Sequence, residues 1–401
     1  MIINSMKNIS NVKNCYGCGV CATACTKNAI NITLSDHGFY VPVLNTERCI
    51  NCGICVDVCA FLHDELSVTN KPKHSYGAWS NNPMVRKRSS SGGVGYELGK
   101  YALSQGYKVC GVRYNPLNKR AEHFIASNES ELMYTVGSKY IQSYTVDGFK
   151  SIMRNEKYLV TGTPCQIDSF RRYIRKFNIE GDFILMDFFC HSVPSLLAWE
   201  KYLQIVEKKI GPIVYASWRN KMTGWHDSWA IAIDGNFLPY SRCEKSKFDR
   251  HNIYSPELEH SYVSRLSDGD LFYNLFLGDF CCNKACHKSC KYKYDKSSAD
   301  IRIGDFWGNT YASDNDGVSA VAVFTEKGNE LLKKLYCTMT EYPFEIVAEG
   351  QMKSNATEAL ASPFIWKLLR SNKEYPEVIW KIVVKLGRLI ELPIKLIRKI
   401  L

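Results

Sequence analysis

Residues 15–25 read CYGCGVCATAC and residues 49–59 read CINCGICVDVC. Both follow the spacing C-x-x-C-x-x-C-x-x-x-C, with Cys15, Cys18, Cys21 and Cys25 in the first run and Cys49, Cys52, Cys55 and Cys59 in the second. Two residues between thiolates on a tight turn let neighbours reach different irons of one cubane, and the fourth cysteine of each run crosses to the other cluster. The spacing therefore predicts two [4Fe-4S] clusters, one on Cys15, Cys18, Cys21 and Cys59, the other on Cys49, Cys52, Cys55 and Cys25. Zinc knuckles use four ligands in two pairs, which this doubled triplet-plus-one pattern does not offer. Gly17, Gly19 and Gly53 lie inside the loops, where the backbone must approach inorganic sulfur and present N–H donors. Thr26 and Ala60 stand where proline usually follows the fourth cysteine, a change expected to alter the turn and leave ligation intact.

Between the runs, residues 29–34 and 38–43 read as short strands around an Asp36-His37-Gly38 turn. Residues 1–66 thus form a small two-cluster ferredoxin domain, and the polar stretch 67–75, with Pro72, is its linker. The remaining chain is long enough for one or two further domains. Seventeen cysteines in a chain without a basic-then-apolar leader point to metal ligation rather than disulfides, and the expected location is the cytoplasm. The net charge of +11 is dispersed or gathered at the C-terminus, with no helix-turn-helix or RNA-binding motif beside it. An anionic cofactor, an acidic redox partner or a membrane surface suits that charge, and no nucleic acid is expected.

From Tyr76 onward apolar strands alternate with helical stretches, which predicts an α/β domain. Residues 158–161 are a strand running into Gly162-Thr163-Pro164-Cys165-Gln166, with helical spacing over 167–177. Residues 183–189 are a second strand, ending in Cys190-His191-Ser192-Val193-Pro194-Ser195 before a helix from Leu196. The carboxyl ends of strands in an open α/β sheet line the ligand crevice, so Cys165 and Cys190 are placed to share one site. Cys281, Cys282, Cys286 and Cys290 fall just before a strand-like segment, 300–307, and their spacing does not repeat the ferredoxin pattern. A metal set drawn from these four together with Cys165 and Cys190 is expected, the choice of four being open at this level, and the alternative is a zinc site made by Cys281, Cys282, Cys286 and Cys290 alone. The run 86–95, RKRSSSGGVG, sets hydroxyls and glycines before a helix over 96–103, where free N–H groups favour phosphate. Gly137-Ser138-Lys139-Tyr140, with Gln142 and Ser143, adds a cation for a phosphate or a reduced flavin. His191 is a candidate for proton delivery.

Together these motifs resemble the beta subunit family of coenzyme F420 hydrogenase and its dehydrogenase relatives, over about residues 76–325. The resemblance rests on Ser89–Gly93, Gly137–Ser143, Thr163–Gln166, Cys190–Ser195, Arg219–Trp225, the late cysteines and Ile303–Gly308. It implies a flavin domain holding FAD beside a third [4Fe-4S] cluster, with electrons passing between a two-electron carrier such as F420 and one-electron clusters. Carried over, Ser90, Ser91, Gly92, Gly93 and Lys139 become FAD contacts, Lys139 and His191 catalytic candidates, and Cys165, Cys190, Cys286 and Cys290 cluster ligands. Three residues separate Cys286 from Cys290 where the family has two, and Ser192-Val193 stands where a glycine is usual after His191.

The expected fold is α+β: a ferredoxin-type domain, an α/β flavin and iron-sulfur domain whose two parts cover 76–150 and 151–330, and a helical tail over 331–401. Residues 378–401 form a basic amphipathic helix interrupted by Pro393, suited to packing or to the anionic inner face of a membrane. The expected function is that of an iron-sulfur flavoprotein oxidoreductase. Similarity of the layout to chains among surface-polysaccharide genes implies a reductive step in bacterial surface-polysaccharide biosynthesis. The alternative is an electron-transfer subunit serving a partner enzyme, with no organic substrate of its own.

Overall fold

The computed structural model describes residues 6–236 and 260–400, of which 392–400 are described as helix backbone only. In the N-terminal module β1 (Ile30–Leu34) and β2 (Tyr40–Leu44) form an antiparallel ribbon in register from Ile30↔Leu44 to Leu34↔Tyr40. Short helices Val20–Ala24 and Ile54–Asp57 follow the cysteine loops, each entered through a glycine with left-handed φ, Gly19 at 72° and Gly53 at 80°. A side chain at either position would be strained.

The second part is built on β3 (His74–Ser80), β4 (Lys108–Asn115), β5 (Arg120–Ala126), β6 (Ser143–Tyr144), β7 (Tyr158–Thr161), β8 (Phe183–Phe188), β9 (Ile213–Ser217), β10 (Ala230–Gly235), β11 (Tyr262–Arg265), β12 (Ile301–Asp305), β13 (Ser319–Val323) and β14 (Cys337–Glu341). Nine of these strands form one mixed sheet in the order β14-β3-β13-β12-β8-β7-β4-β5-β6, and β11-β10-β9 form a smaller one. β4, β7, β8 and β12 run parallel. Leu159, Val160, Ile184, Leu185 and Ile301 in these strands are fully buried, as expected where helices cover both faces.

The helix Pro164–Lys176 starts with proline at its first turn and a Thr163/Gln166 capping box, and ends on Arg175 and Lys176, which suit the negative end of its dipole. Its Ile167, Phe170 and Ile174 pack on Phe149 and Phe183. The helix Leu196–Ile210 is capped by Ser195, whose hydroxyl accepts from Leu197 N, and stops at Gly211.

The architecture is the mixed one expected, with two corrections. The segment 331–401 is not purely helical, because Cys337–Glu341 pairs with β3 as an edge strand. The alternating Cys337-Thr338-Met339-Thr340-Glu341 gives β14 one side to the sheet and one to solvent. The last helix, Glu377–Ile400, also runs through Pro393 without a break. Proline's fixed φ is helical, so the ring is compatible with the helix although it gives no N–H to the carbonyl of Leu389 one turn before it. The side chains of Lys395, Arg398 and Lys399, and residue Leu401, lie outside the described residues. No helix among the described residues is long and apolar enough to cross a membrane.

Candidate iron-sulfur and cofactor sites

Two cavities open in the N-terminal module. Cys15, Cys18, Cys21 and Cys59 line one, closed by Ile9, Val12, Ile32, Pro42 and Phe61. Cys25, Cys49, Cys52 and Cys55 line the other, with Lys7, Lys27 and Ile50 at its rim. Each cavity thus takes three cysteines from one run and the fourth from the other. Burial pushes the thiols of Cys15 and Cys59 up to about 12 and that of Cys55 to about 11, with neighbouring cysteines adding to the rise. Thiolates so placed need a partner that brings positive charge, as a cluster does.

The two cavities differ in depth. Cys52 is exposed and Ile50 is 61% exposed beside a buried Cys55, whereas Cys15, Cys21 and Cys59 are all buried, and the loop that carries Cys15 and Cys18 lies on the large domain. That contact is built from polar side chains of the sheet domain reaching ferredoxin backbone. Gln142, itself buried, accepts from Tyr40 N at 2.9 Å and donates to Tyr16 O at 3.0 Å. Thr145 Oγ1 donates to Cys18 O at 2.8 Å, and Asn283 Nδ2 to Cys15 O at 3.1 Å. A Cβ on Gly17 would lie 2.3 Å from Gln142 Nε2, and one on Gly19 2.2 Å from Thr145 Oγ1. These two glycines therefore admit the large domain to the cluster loop, a requirement that spacing does not reveal. Gln142 and Ser143, read from sequence beside a phosphate, are committed elsewhere: Ser143 Oγ accepts from Gln166 Nε2 at 3.0 Å.

Behind the buried cavity a third group of thiols gathers. Cys165, on the first turn after β7, faces Cys286 and Cys190 and also Cys18 of the ferredoxin loop. Cys286 faces Cys190 and Cys290. Burial lifts Cys190 to about 11 and Cys286 to about 12, while the Lys293 ammonium beside both opposes the rise. Tyr16 bridges the two thiol groups: it packs edge-on against Phe61 and Tyr292, and its hydroxyl donates to the carbonyl of Ser289. Cys281 and Cys282 turn away. Cys281 is fully buried in the main apolar cluster, and Cys282 Sγ meets the Ser192 hydroxyl at 3.0 Å.

The serine and glycine loop lies at the carboxyl end of β3, on the same edge of the sheet as Asp305 at the end of β12. Ser91 Oγ donates to Val318 O at 2.7 Å and Gly92 N to Ser319 Oγ at 3.0 Å, and a Cβ on Gly92 would fall 2.2 Å from Ala78 O. Ser91 and Gly92 thus serve the joint between loop and sheet. Ser90 Oγ accepts from Ser138 N at 2.9 Å. Gly93 caps the helix Val94–Ser104 with no side-chain bond. Lys139 Nζ donates to the carbonyls of Tyr134 and Val136, both at 3.0 Å, has no carboxylate partner among the described residues, and is pushed down to about 7 by burial. Lys139 therefore has no counter-charge among the described residues, and Gly93 leaves its helix N-terminus without a side-chain cap. His191 sits apart, its Nε2 3.0 Å from Asp279 Oδ1 and its Nδ1 against Met352.

Residues 75–148 match the model of the N-terminal part of the coenzyme F420 hydrogenase/dehydrogenase beta subunit, and residues 155–341 match the model of its C terminus. The chain belongs to this family. Residues 14–61 match a 4Fe-4S dicluster domain, so the chain is an iron-sulfur protein of the F420 hydrogenase/dehydrogenase beta subunit family. Among solved structures it is similar to a chain of the F420-reducing [NiFe] hydrogenase complex from Methanosarcina barkeri, with 19% identity and a TM-score of 0.41. That similarity covers 75% of this chain and 88% of the other. No curated protein matches.

Two further motifs of the F420 hydrogenase/dehydrogenase resemblance meet in a buried knot. The Arg219 guanidinium takes both oxygens of Asp305 at 2.8 and 3.0 Å, is stacked between Trp229 and Trp307, and reaches Tyr140 OH and Ser90 O. Trp225 Nε1 donates to the same carboxylate at 2.8 Å. Bidentate geometry with all donors engaged is what lets a fully buried arginine persist. Its effect is to fix Ser90 and Tyr140, which flank Lys139. Sequence reasoning listed these motifs by resemblance alone; the pairing of Arg219 with Asp305, 86 residues apart, has no local signal.

Proposed function

We propose that this member of the F420 hydrogenase/dehydrogenase beta subunit family is an FAD-dependent iron-sulfur oxidoreductase carrying electrons between a two-electron carrier and a one-electron partner. The observation that carries the reading is the succession of three thiol sets through the chain's two parts. Cys25, Cys49, Cys52 and Cys55, of which Cys52 is exposed, form an outer set; Cys15, Cys18, Cys21 and Cys59 form the next; and Cys18 in turn faces Cys165, which with Cys190 follows β7 and β8 and meets Cys286 and Cys290 from the turn 284–290. All three sets are read as [4Fe-4S] ligands. Bound flavin supplies the exchange between hydride chemistry and single electrons, which clusters alone lack. Lys139 and the Gly93 helix terminus hold the anionic part of that cofactor, and Arg219 with Asp305 keeps Ser90 and Tyr140 in place.

Anaerobic purification is expected to yield about twelve irons per chain, four for each cubane, with one FAD. Titration of that protein with F420, NAD(P)H and reduced ferredoxin, followed by flavin bleaching, identifies the carrier. Iron near eight with no flavin after reconstitution would reject the reading. The outer set also supports a role as the electron-transfer subunit of a partner enzyme, in which case turnover appears only when the partner is added. The assignment to a reductive step in surface-polysaccharide biosynthesis rests on domain layout, and the sugar composition of a deletion strain tests it.

The last helix supports attachment to the anionic inner face of a membrane from the cytoplasm. It buries Trp380, Val384 and Gly387, and exposes Val378, Ile382, Leu386, Leu389 and Ile390 beside Lys381, Lys385 and Arg388. An exposed apolar row edged by cations is the pattern of a helix lying in the lipid interface.

A further inference from the structure

The turn that carries Cys286 contains a second constellation that the cluster sites do not use. Asp279, Cys282 and His287 each offer a ligand atom, and the three atoms lie within 4.8 Å of one another. Cys282 is 2% exposed. The His287 side chain is 4% exposed, and neither ring nitrogen has a hydrogen-bond partner among the described residues. A buried imidazole with both nitrogens unsatisfied costs stability unless something fills its coordination. Its Nε2 points toward Asp279, 3.8 Å from Oδ1.

We propose that Asp279, Cys282 and His287 bind a Zn²⁺ ion. One thiolate, one imidazole and one carboxylate form a borderline set that suits zinc, and unlike a cubane it needs no further cysteines. Zinc bonds of about 2.0–2.3 Å set ligand atoms roughly 3.5 Å apart in a tetrahedron, so the observed set closes on an ion with movement of about 1 Å. The dication neutralises one carboxylate and one thiolate, which removes the penalty of burying both. The surrounding contacts are those of a ligand shell. His191 Nε2 stands 3.0 Å from Asp279 Oδ1, and Ser192 Oγ stands 3.0 Å from Cys282 Sγ, where it can donate to a thiolate. The sulfur also meets Phe276 O at 3.6 Å. The ion would clamp the turn 279–287 onto the strand end that bears Cys190 and His191.

The test is metal analysis of the full chain purified anaerobically from zinc-supplemented medium. About one zinc per chain is expected in addition to iron, and Cys282→Ser and His287→Ala each lose the zinc with iron content unchanged. X-ray absorption at the zinc edge of the unmodified protein should show a single sulfur among nitrogen and oxygen neighbours, a readout that survives if a variant fails to fold. Absence of zinc, a shell of four sulfurs, or loss of iron with retention of zinc in Cys282→Ser overturns the proposal. Because iron and flavin are measured in the same samples, failure of the zinc site is distinct from failure of the redox reading.

Discussion

The hydroxyl of Ser169 stands 3.3 Å from the sulfur of Cys18. Ser169 is fully buried on the helix that Cys165 begins, one turn further along and on the same face, and it also accepts from Ala60 N at 3.1 Å. One helix therefore touches the ferredoxin loop at Cys18 and presents Cys165 to the third group of thiols. Ser169→Ala leaves the Ala60 amide unpaired, at a cost of about 1–3 kcal/mol. Denaturant unfolding should record that loss, and electron paramagnetic resonance should show a shifted signal for the buried cluster with the outer one unchanged.

Crossed ligation makes paired substitutions informative. Cys25→Ser belongs to the first run of sequence yet lines the exposed cavity, and Cys59→Ser belongs to the second yet lines the buried one. Each is expected to lower iron by about four atoms. Cys25→Ser should leave the signal of the buried cluster intact, and Cys59→Ser should spare the outer one. The opposite assignment of signals would refute the pairing.

Gly17 has φ +68°, and an added Cβ would meet Gln142 Nε2 at 2.3 Å and Tyr40 O at 2.5 Å. Gly17→Ala combines backbone strain with a lost contact between the domains, and about 1–3 kcal/mol of destabilisation is expected from the strain alone. Gly53→Ala shares the positive φ but meets nothing within 4 Å, so the excess loss at Gly17 in thermal unfolding measures the contact.

Lys139 gives a pH signature. Burial holds its ammonium near 7, whereas in the unfolded chain the proton stays on to about 10.4. Between those values the unfolded chain binds more protons, so this group's contribution to stability rises with pH. An anionic ligand reverses the preference by favouring the charged amine. FAD affinity should therefore weaken by up to about tenfold per unit above pH 7, and Lys139→Met should bind more weakly with that slope removed. Equilibrium dialysis from pH 6 to 9 is the measurement.

Attachment through the last helix is tested by flotation with vesicles containing anionic lipid. Leu386 and Leu389 are more than half exposed, so their replacement by aspartate should not disturb the core. The double variant is expected to lose binding roughly tenfold or more, given about 1.5–3 kcal/mol for each leucine buried. Unchanged flotation would assign the apolar row to another role.

The ferredoxin module was legible because cluster ligation is local: spacing alone groups the cysteines, and glycine marks the loops. Helix and strand limits around Cys165 and Cys190 were nearly as clear, since Pro164, the Thr163/Gln166 box and the Ser195 cap are signals a few residues long. Sequence position left open which late cysteines share a site, and it read Gln142 as a cofactor residue. Strand order sets Cys165 beside Cys190, since β7 and β8 are neighbours, antiparallel pairing at Pro194 and Cys282 turns Cys282 toward Asp279 and His287, and Gln142 bonds the ferredoxin backbone. Local chemistry determined how the cysteines of the first 60 positions are grouped for iron. Which buried groups face each other across a hundred residues depends on strand order, and only the folded sheet contains it.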